Sequence, residues 1–89
     1  MKTKYRFEIV ELEDGRVAIP VGKDAEKLKA VIKVNDTAVD ILKLMMEQDT
    51  TEDKIVDSLM EMYTDDRVKI AEYVHSFIEG LDKEGIIQK

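Results

Sequence analysis

Nucleophilic and acid–base chemistry has few carriers in this chain. There is no Cys, and His75 is the single His. Without Cys there is neither a disulfide nor a thiolate, and one imidazole alone falls short of the ligand set that a zinc site requires. No nucleophile is spaced so as to pair with a base and an orienting group. Carboxylates are plentiful, with Asp36 and Asp40, and Asp53 and Asp57, standing at i, i+4. On a helix that spacing puts each pair on one face, and here it reads as a solvated face. His75 lies on the rim of an apolar arc and reads as a surface or partly packed residue. Met45, Met46, Met60 and Met62 fall among apolar helical positions and read as core filling. The expectation is a protein with no catalytic residue, no metal ligand and no cofactor, that is, a small module that holds something.

The elements that would position a binding surface are legible from periodicity. Lys4 to Val10 alternates, with Tyr5, Phe7 and Ile9 on one side and Lys4, Arg6 and Glu8 on the other, the pattern of a half-buried strand. Glu13-Asp14-Gly15 supplies the Asp-Gly signal of a tight hairpin. Val17, Ile19 and Val21 then alternate with Arg16 and Ala18. Pro20 has no N–H to give a ladder, so the second strand is an edge there or ends there. Gly22-Lys23-Asp24 reads as a loop, with a helical turn through Ala25–Leu28, and residues 29–34 as a third strand.

The period changes from two to 3.6 at Asn35, a favourable N-cap followed by Asp36 at the positive helix end. Helices are predicted over 36–48, 52–63 and 65–84. The first is apolar around most of its circumference and should be largely buried. Thr50 or Thr51 caps the second, and Thr64-Asp65-Asp66 starts the third. Gly85 is placed to take the left-handed C′ conformation with Ile86 folded back on the helix. Along the third helix Ile70, Ala71, Tyr73, Val74, Phe77, Ile78 and Leu81 spread over about 160° at 100° per residue. One core contact needs only the middle of that arc. One edge, Tyr73/Phe77 or Ala71/Ile78, is then free for a partner, or both edges pack on the hairpin.

Eighty-nine residues suffice for one domain with a modest core, β-rich over 1–34 and helical over 35–89. The net charge is −6, and it is divided unevenly. Residues 1–34 hold eight Lys/Arg against six Asp/Glu, and residues 35–89 hold six against fourteen. An acidic helical part opposes docking on phosphates. No apolar run approaches a membrane span and no signal-peptide core is present. A cytoplasmic protein without membrane contact is expected.

The caps and core positions from Val34 onward resemble those of the PqqD family, named for pyrroloquinoline quinone biosynthesis protein D and related to the recognition elements of ribosomally made, post-translationally modified peptides. The matching residues are Val34, Asn35, Asp36, Ala38, Ile41 and Leu42, then Thr51, Ile55, Leu59 and Tyr63, then Val74, Phe77, Leu81, Gly85, Ile86 and Ile87. Leu42 stands where the family often has Trp, and Glu47-Gln48-Asp49 where it usually has a Gly. The resemblance implies an α+β, winged-helix-like fold in which a three-stranded antiparallel sheet precedes a three-helix bundle. It implies that the leader segment of a precursor peptide adds as a strand to the third strand and lies against the third helix. The residues so implicated are Lys29, Ala30, Val31, Ile32, Lys33, Val34, Arg67, Ile70, Tyr73, Val74 and Phe77. A peptide-modifying enzyme, often a radical S-adenosylmethionine protein, would be the second partner. An open strand could also pair with a copy of itself.

Two other readings were weighed. A winged-helix nucleic-acid-binding or transcription-related adaptor would use the third helix for recognition, but residues 65–84 carry six acids against three bases, and only Ile86–Lys89 remain for a wing. Asp57-Ser58-Leu59 resembles the phosphopantetheine site of acyl carrier proteins. There the Ser opens a helix, whereas here Thr51 already has and Ser58 lies about two turns in.

Overall fold

The computed structural model describes residues 1–22 and 31–88. Its elements are β1 (Lys2–Thr3), β2 (Arg6–Leu12), β3 (Gly15–Val21), β4 (Ile32–Val34), α1 (Asp36–Glu47), α2 (Glu52–Met62), α3 (Arg67–Lys83) and β5 (Ile87–Gln88). An N-terminal antiparallel sheet in the order β2-β3-β4 precedes three helices, the α+β arrangement that the change of period predicts. The helical turn at 25–28, the loop residues Lys23 and Asp24, and the strand positions Lys29 and Ala30 lie outside the described residues.

The hairpin turn is Glu13-Asp14, closed by the pair Leu12↔Gly15, with Gly15 at φ 149°. That closure fixes the register, and the register fixes the faces. Phe7 lies opposite Pro20 and Ile9 opposite Ala18, so Ala18 shares the core face with Phe7 and is fully buried. Val17, Ile19 and Val21 are turned to the other face, opposite Val10, Glu8 and Arg6. In β3 the larger apolar residues thus lie on the face away from Phe7, where Val17 is buried as well, and the small Ala18 is the one that joins the core cluster. Pro20 stands where, among the described residues, β3 pairs only with β2, so its missing N–H costs no ladder bond there.

The third strand is shorter than its apolar pattern. β4 pairs with β3 through Ile32↔Ala18, Lys33↔Val17 and Val34↔Arg16, and Val31 lies just outside it, 61% exposed. A second small sheet was not visible in the pattern. β1 pairs with β5 through Lys2↔Gln88 and Thr3↔Ile87, and Lys4 N–H donates to the Ile86 carbonyl at 2.7 Å. Strands of two residues are too short to produce a period. The Met1 ammonium donates to the Thr50 carbonyl at 2.7 Å and to Asp49. This hydrogen bond, reinforced by the positive charge, holds the Asp49 carboxyl below its usual range.

The helices begin where capping side chains satisfy their free N–H groups. Asn35 Oδ1 accepts from Ala38 N at 2.9 Å, and Thr51 Oγ1 from Lys54 N at 3.2 Å. Asp66 Oδ1 accepts from Val68 N at 3.0 Å, so α3 starts at Arg67 and residues 65–66 precede it. At the other end Gly85 has φ 74°, and its N–H reaches Asp82 O at 3.0 Å while Ile86 N–H reaches Leu81 O at 3.0 Å. Those two bonds are the Schellman pair, and they deliver Ile86 into the core, fully buried. The hydrophobic cluster runs from Phe7, Ala18 and Val34 through Ile41, Leu42 and Met45 to Ile55, Leu59, Val74 and Leu81. Met62, expected in the core, is 52% exposed. The inward row of α2 is Ile55, Leu59 and then Tyr63, which packs against the cluster in its place.

Asn35→Ala removes the α1 cap and should cost about 1 kcal/mol, a fall in Tm of about 4–8 °C for a domain of this size. Asn35→Asp keeps an oxygen in place and should stay close to the wild type. Thermal melts of both variants by circular dichroism check this.

Candidate functional site

α3 presents three arcs. Ile70, Val74, Ile78 and Leu81 are buried, whereas Glu72, His75, Glu79 and Lys83 face outward. Between them on one side lie Tyr73, Phe77 and Gly80. Ile78 is buried, Ala71 and Phe77 are each half-buried against the core, and Tyr73 is exposed. On the Tyr73/Phe77 edge the two rings stack, with centroids 6.4 Å apart and planes 3° from parallel.

That edge faces β4. Among the described residues the β4 edge away from β3 is unpaired, so alternate N–H and C=O groups there lack a ladder partner. Between this edge and α3 runs a groove of about 650 Å³, walled by Val31, Ile32 and Lys33 on the strand side and by Ser76, Phe77, Gly80, Leu81 and Glu84 on the helix side. A second cavity, about 340 Å³, opens one to two turns earlier in α3, lined by Asn35, Thr37, Leu59, Tyr63, Asp65, Lys69, Ile70 and Tyr73. Tyr73 marks the passage from one to the other. Its hydroxyl donates to Asn35 Oδ1 at 2.8 Å, which fixes the ring at the mouth of the second cavity.

Of the residues implicated from sequence, Val31, Ile32, Lys33 and Phe77 meet around the groove, and Ile70 and Tyr73 line the second cavity. Val34 and Val74 are buried in the core and back these walls. Arg67 is turned to α2, with Nη2 2.8 Å from Asp57 Oδ1. Lys29 and Ala30 lie outside the described residues. Ser76, Gly80 and Glu84 are not among the implicated residues, and Leu81 enters only as an apolar position of the arc, because only the pairing of β4 determines which part of α3 it faces. A signal was present all the same. Tyr73, Phe77, Gly80 and Glu84 follow one another three or four residues apart, and a Gly inside a helix costs about 1 kcal/mol relative to Ala.

The polar groups nearby tie helices together. Tyr63 Oη donates to Asp40 Oδ2 at 2.5 Å, joining α1 to the end of α2. That hydrogen bond, with desolvation added, raises the Tyr63 phenol above 10.0. His75 Nδ1 is 3.1 Å from Glu52 Oε1 and its Nε2 is 3.7 Å from Glu79, on the surface and away from the groove. Among the described residues no group of three or more His, Cys, Asp or Glu could hold a metal ion. No helix there is long and apolar enough to cross a membrane.

An open strand edge beside a helix wall is a geometry that an extended chain can enter. The chain belongs to the PqqD family: the family model described as coenzyme PQQ synthesis protein D matches residues 10–87, nearly its whole length. The family is one of non-catalytic accessory proteins that bind peptides. Neither a curated protein nor a solved structure matches the chain.

The raised Tyr63 phenol gives a pH test. A folded-state value above the unfolded one contributes stability that is present below pH 10 and is lost as pH rises through the raised value. An ultraviolet titration of tyrosinate should show a phenol ionising above the ordinary range, and Asp40→Ala should return that step toward 10.

Proposed function

We propose that this protein captures the leader segment of a ribosomally made precursor peptide and presents it, in the cytoplasm, to a modifying enzyme such as a radical S-adenosylmethionine protein. The observation that carries this reading is the unpaired edge of β4 facing α3 across a groove of about 650 Å³. An extended peptide added to that edge satisfies the open backbone groups, while alternate side chains enter the groove. Main-chain pairing supplies affinity that depends little on sequence, and the side-chain pockets supply selectivity. Phe77 lines the groove with Tyr73 stacked on it from the second cavity, and Lys33 on the strand attracts acidic leader residues. Membership of the family supports peptide binding.

The test uses the two residues whose N–H groups alternate within β4. Of Ile32 and Lys33, one N–H serves β3 and the other the open edge. Pro at either removes one donor. The variant with the smaller fall in Tm is expected to show the larger loss of leader binding, because its missing N–H is the one the fold does not use. Tyr73→Ala should weaken binding about tenfold, worth about 1.4 kcal/mol, and Glu72→Ala, on the outward arc, should leave it unchanged. Titration of the labelled protein with the leader of a precursor encoded beside its gene, followed by amide shifts, gives both the affinity and the place. Shifts clustered on α1 or α2, with 31–34 and 73–84 undisturbed, would refute the reading.

A further inference from the structure

The second cavity, about 340 Å³, lies beyond the strand pairing proposed above. Leu59 and Ile70 line it from within the core, both buried. Its hydroxyl groups are already engaged within the protein. Tyr63 donates to Asp40, the Thr37 side chain bonds the same phenol, and Tyr73 donates to Asn35. Three other polar groups stay open. Asn35 accepts the Ala38 N–H through Oδ1, which identifies the other end of that amide as its NH2. Among the described residues this NH2 has no partner. Lys69 is exposed and forms no ion pair among the described residues. Asp65 accepts the Asp66 N–H through Oδ1 at 2.7 Å and likewise meets no cation there. An acid and a base four residues apart can pair, yet these two line one cavity without touching.

These open groups discriminate by charge. A carboxylate in the cavity gains Lys69 but meets Asp65, with Asp40 behind Tyr63. An ammonium or guanidinium gains Asp65 but meets Lys69. A carboxamide meets neither penalty. Its carbonyl accepts from Asn35 or Lys69, its NH2 donates to Asp65, and its stem lies on Leu59 and Ile70. A cavity of about 340 Å³ is small among ligand sites, a size for one side chain rather than a cofactor.

We propose that this cavity is a carboxamide pocket, occupied by an Asn or Gln side chain of the peptide that pairs with β4. The identity of the occupant rests on the peptide-capture reading above. Continuity with the groove supports it, since Tyr73 lines the cavity and stacks on Phe77 of the groove. A strand added antiparallel to β4 runs from the Asn35 end toward Val31, so the pocket residue precedes the residues that enter the groove. Ile70 and Phe77 are about 10 Å apart along the helix, the reach of about three residues of extended chain.

The chemistry of the pocket is tested without any peptide. Propionamide, propionate and propylammonium share a stem and differ in the head group. Each is titrated into the isotopically labelled protein and followed by amide shifts. Propionamide is expected to move residues 35–37, 63–65 and 69–73 saturably and to bind about fivefold more tightly than either ion. Asp65→Asn should turn the preference toward propionate, and Lys69→Met toward propylammonium. Both residues are exposed, so both variants keep the fold. Equal binding of the three compounds, shifts elsewhere, or no shift overturns the pocket.

The occupant is tested by competition with the leader of a precursor encoded beside the gene. The leader should displace propionamide. The same leader with the Asn or Gln about three residues ahead of its paired segment changed to Ala should bind about fivefold more weakly and leave propionamide in place. A leader that shifts residues 31–34 while propionamide stays bound overturns the occupant and leaves peptide capture standing. A leader that shifts neither 31–34 nor 73–84 overturns peptide capture, and the occupant with it.

Discussion

One oxygen atom organises this fold. Asn35 Oδ1 accepts from Ala38 N at 2.9 Å and from Tyr73 Oη at 2.8 Å. The first bond marks where β4 stops and α1 begins, because an N-cap residue stays extended while the next residue turns helical. The second ties that junction to the middle of α3, more than thirty residues away in sequence. Together they tie the end of β4 and the start of α1 to α3 beside the second cavity. A carbonyl oxygen has two lone pairs, so one Asn serves both elements. Arg16 adds a tie at the same corner, its Nη1 lying 2.7 Å from Asp36 Oδ1 while its Nε lies 3.3 Å from Glu11. Both bridges are exposed and each contributes little alone.

Where the sequence was informative, the physics was local. The Asp-Gly signal located the hairpin turn, the change of period at Asn35 located the first helix, and Gly85-Ile86 located the last stop. Each of these depends on a residue and its neighbours within one turn. The features that escaped depend on which strand meets which. The core side of β3 belongs to Ala18, since closure at Leu12↔Gly15 decides the face, and residue size along the strand cannot override a register. β1 and β5 hold two residues each and join the chain's two ends, a pairing with no periodic trace. The groove extends one turn further along α3 than the aromatic residues indicated, because the short β4 runs past Ser76, Phe77, Gly80 and Glu84. The composition of α3 defined the arc, and tertiary pairing chose the portion of it that is used.

The sheet has two outer edges, and they are treated differently. On β2 the Phe7 N–H donates to Met46 Sδ at 3.2 Å, so α1 occupies the start of that edge, and Glu8 and Glu11 place charge along the rest. Charge on an edge discourages pairing with another chain. β4 has three residues, Ile32, Lys33 and Val34, too few to template a long intermolecular sheet. Yet its open side is bounded by Phe77 and Leu81 across the groove. A short edge next to an apolar wall rewards only a strand that fills the wall as well as the ladder. For the proposed peptide capture, that condition would separate recognition of one class of peptide from indiscriminate strand addition, because neither contribution is large alone.

Three polar contacts tie the helices together: Tyr63 to Asp40 between α2 and α1, Arg67 to Asp57 between α3 and α2, and His75 to Glu52 across the same two helices. Each lies outside the groove and holds the helices whose buried faces back it. With α3 docked through Ile70, Val74, Ile78 and Leu81 and pinned at Tyr73, the helix wall is set before any ligand arrives. A preformed wall lowers the ordering cost of binding. Under the proposed peptide capture, the peptide would still surrender its own freedom, and a short edge offers few backbone bonds to offset that loss. The side chains entering the groove would then supply the remainder, and selectivity would fall to the wall of α3 that faces β4.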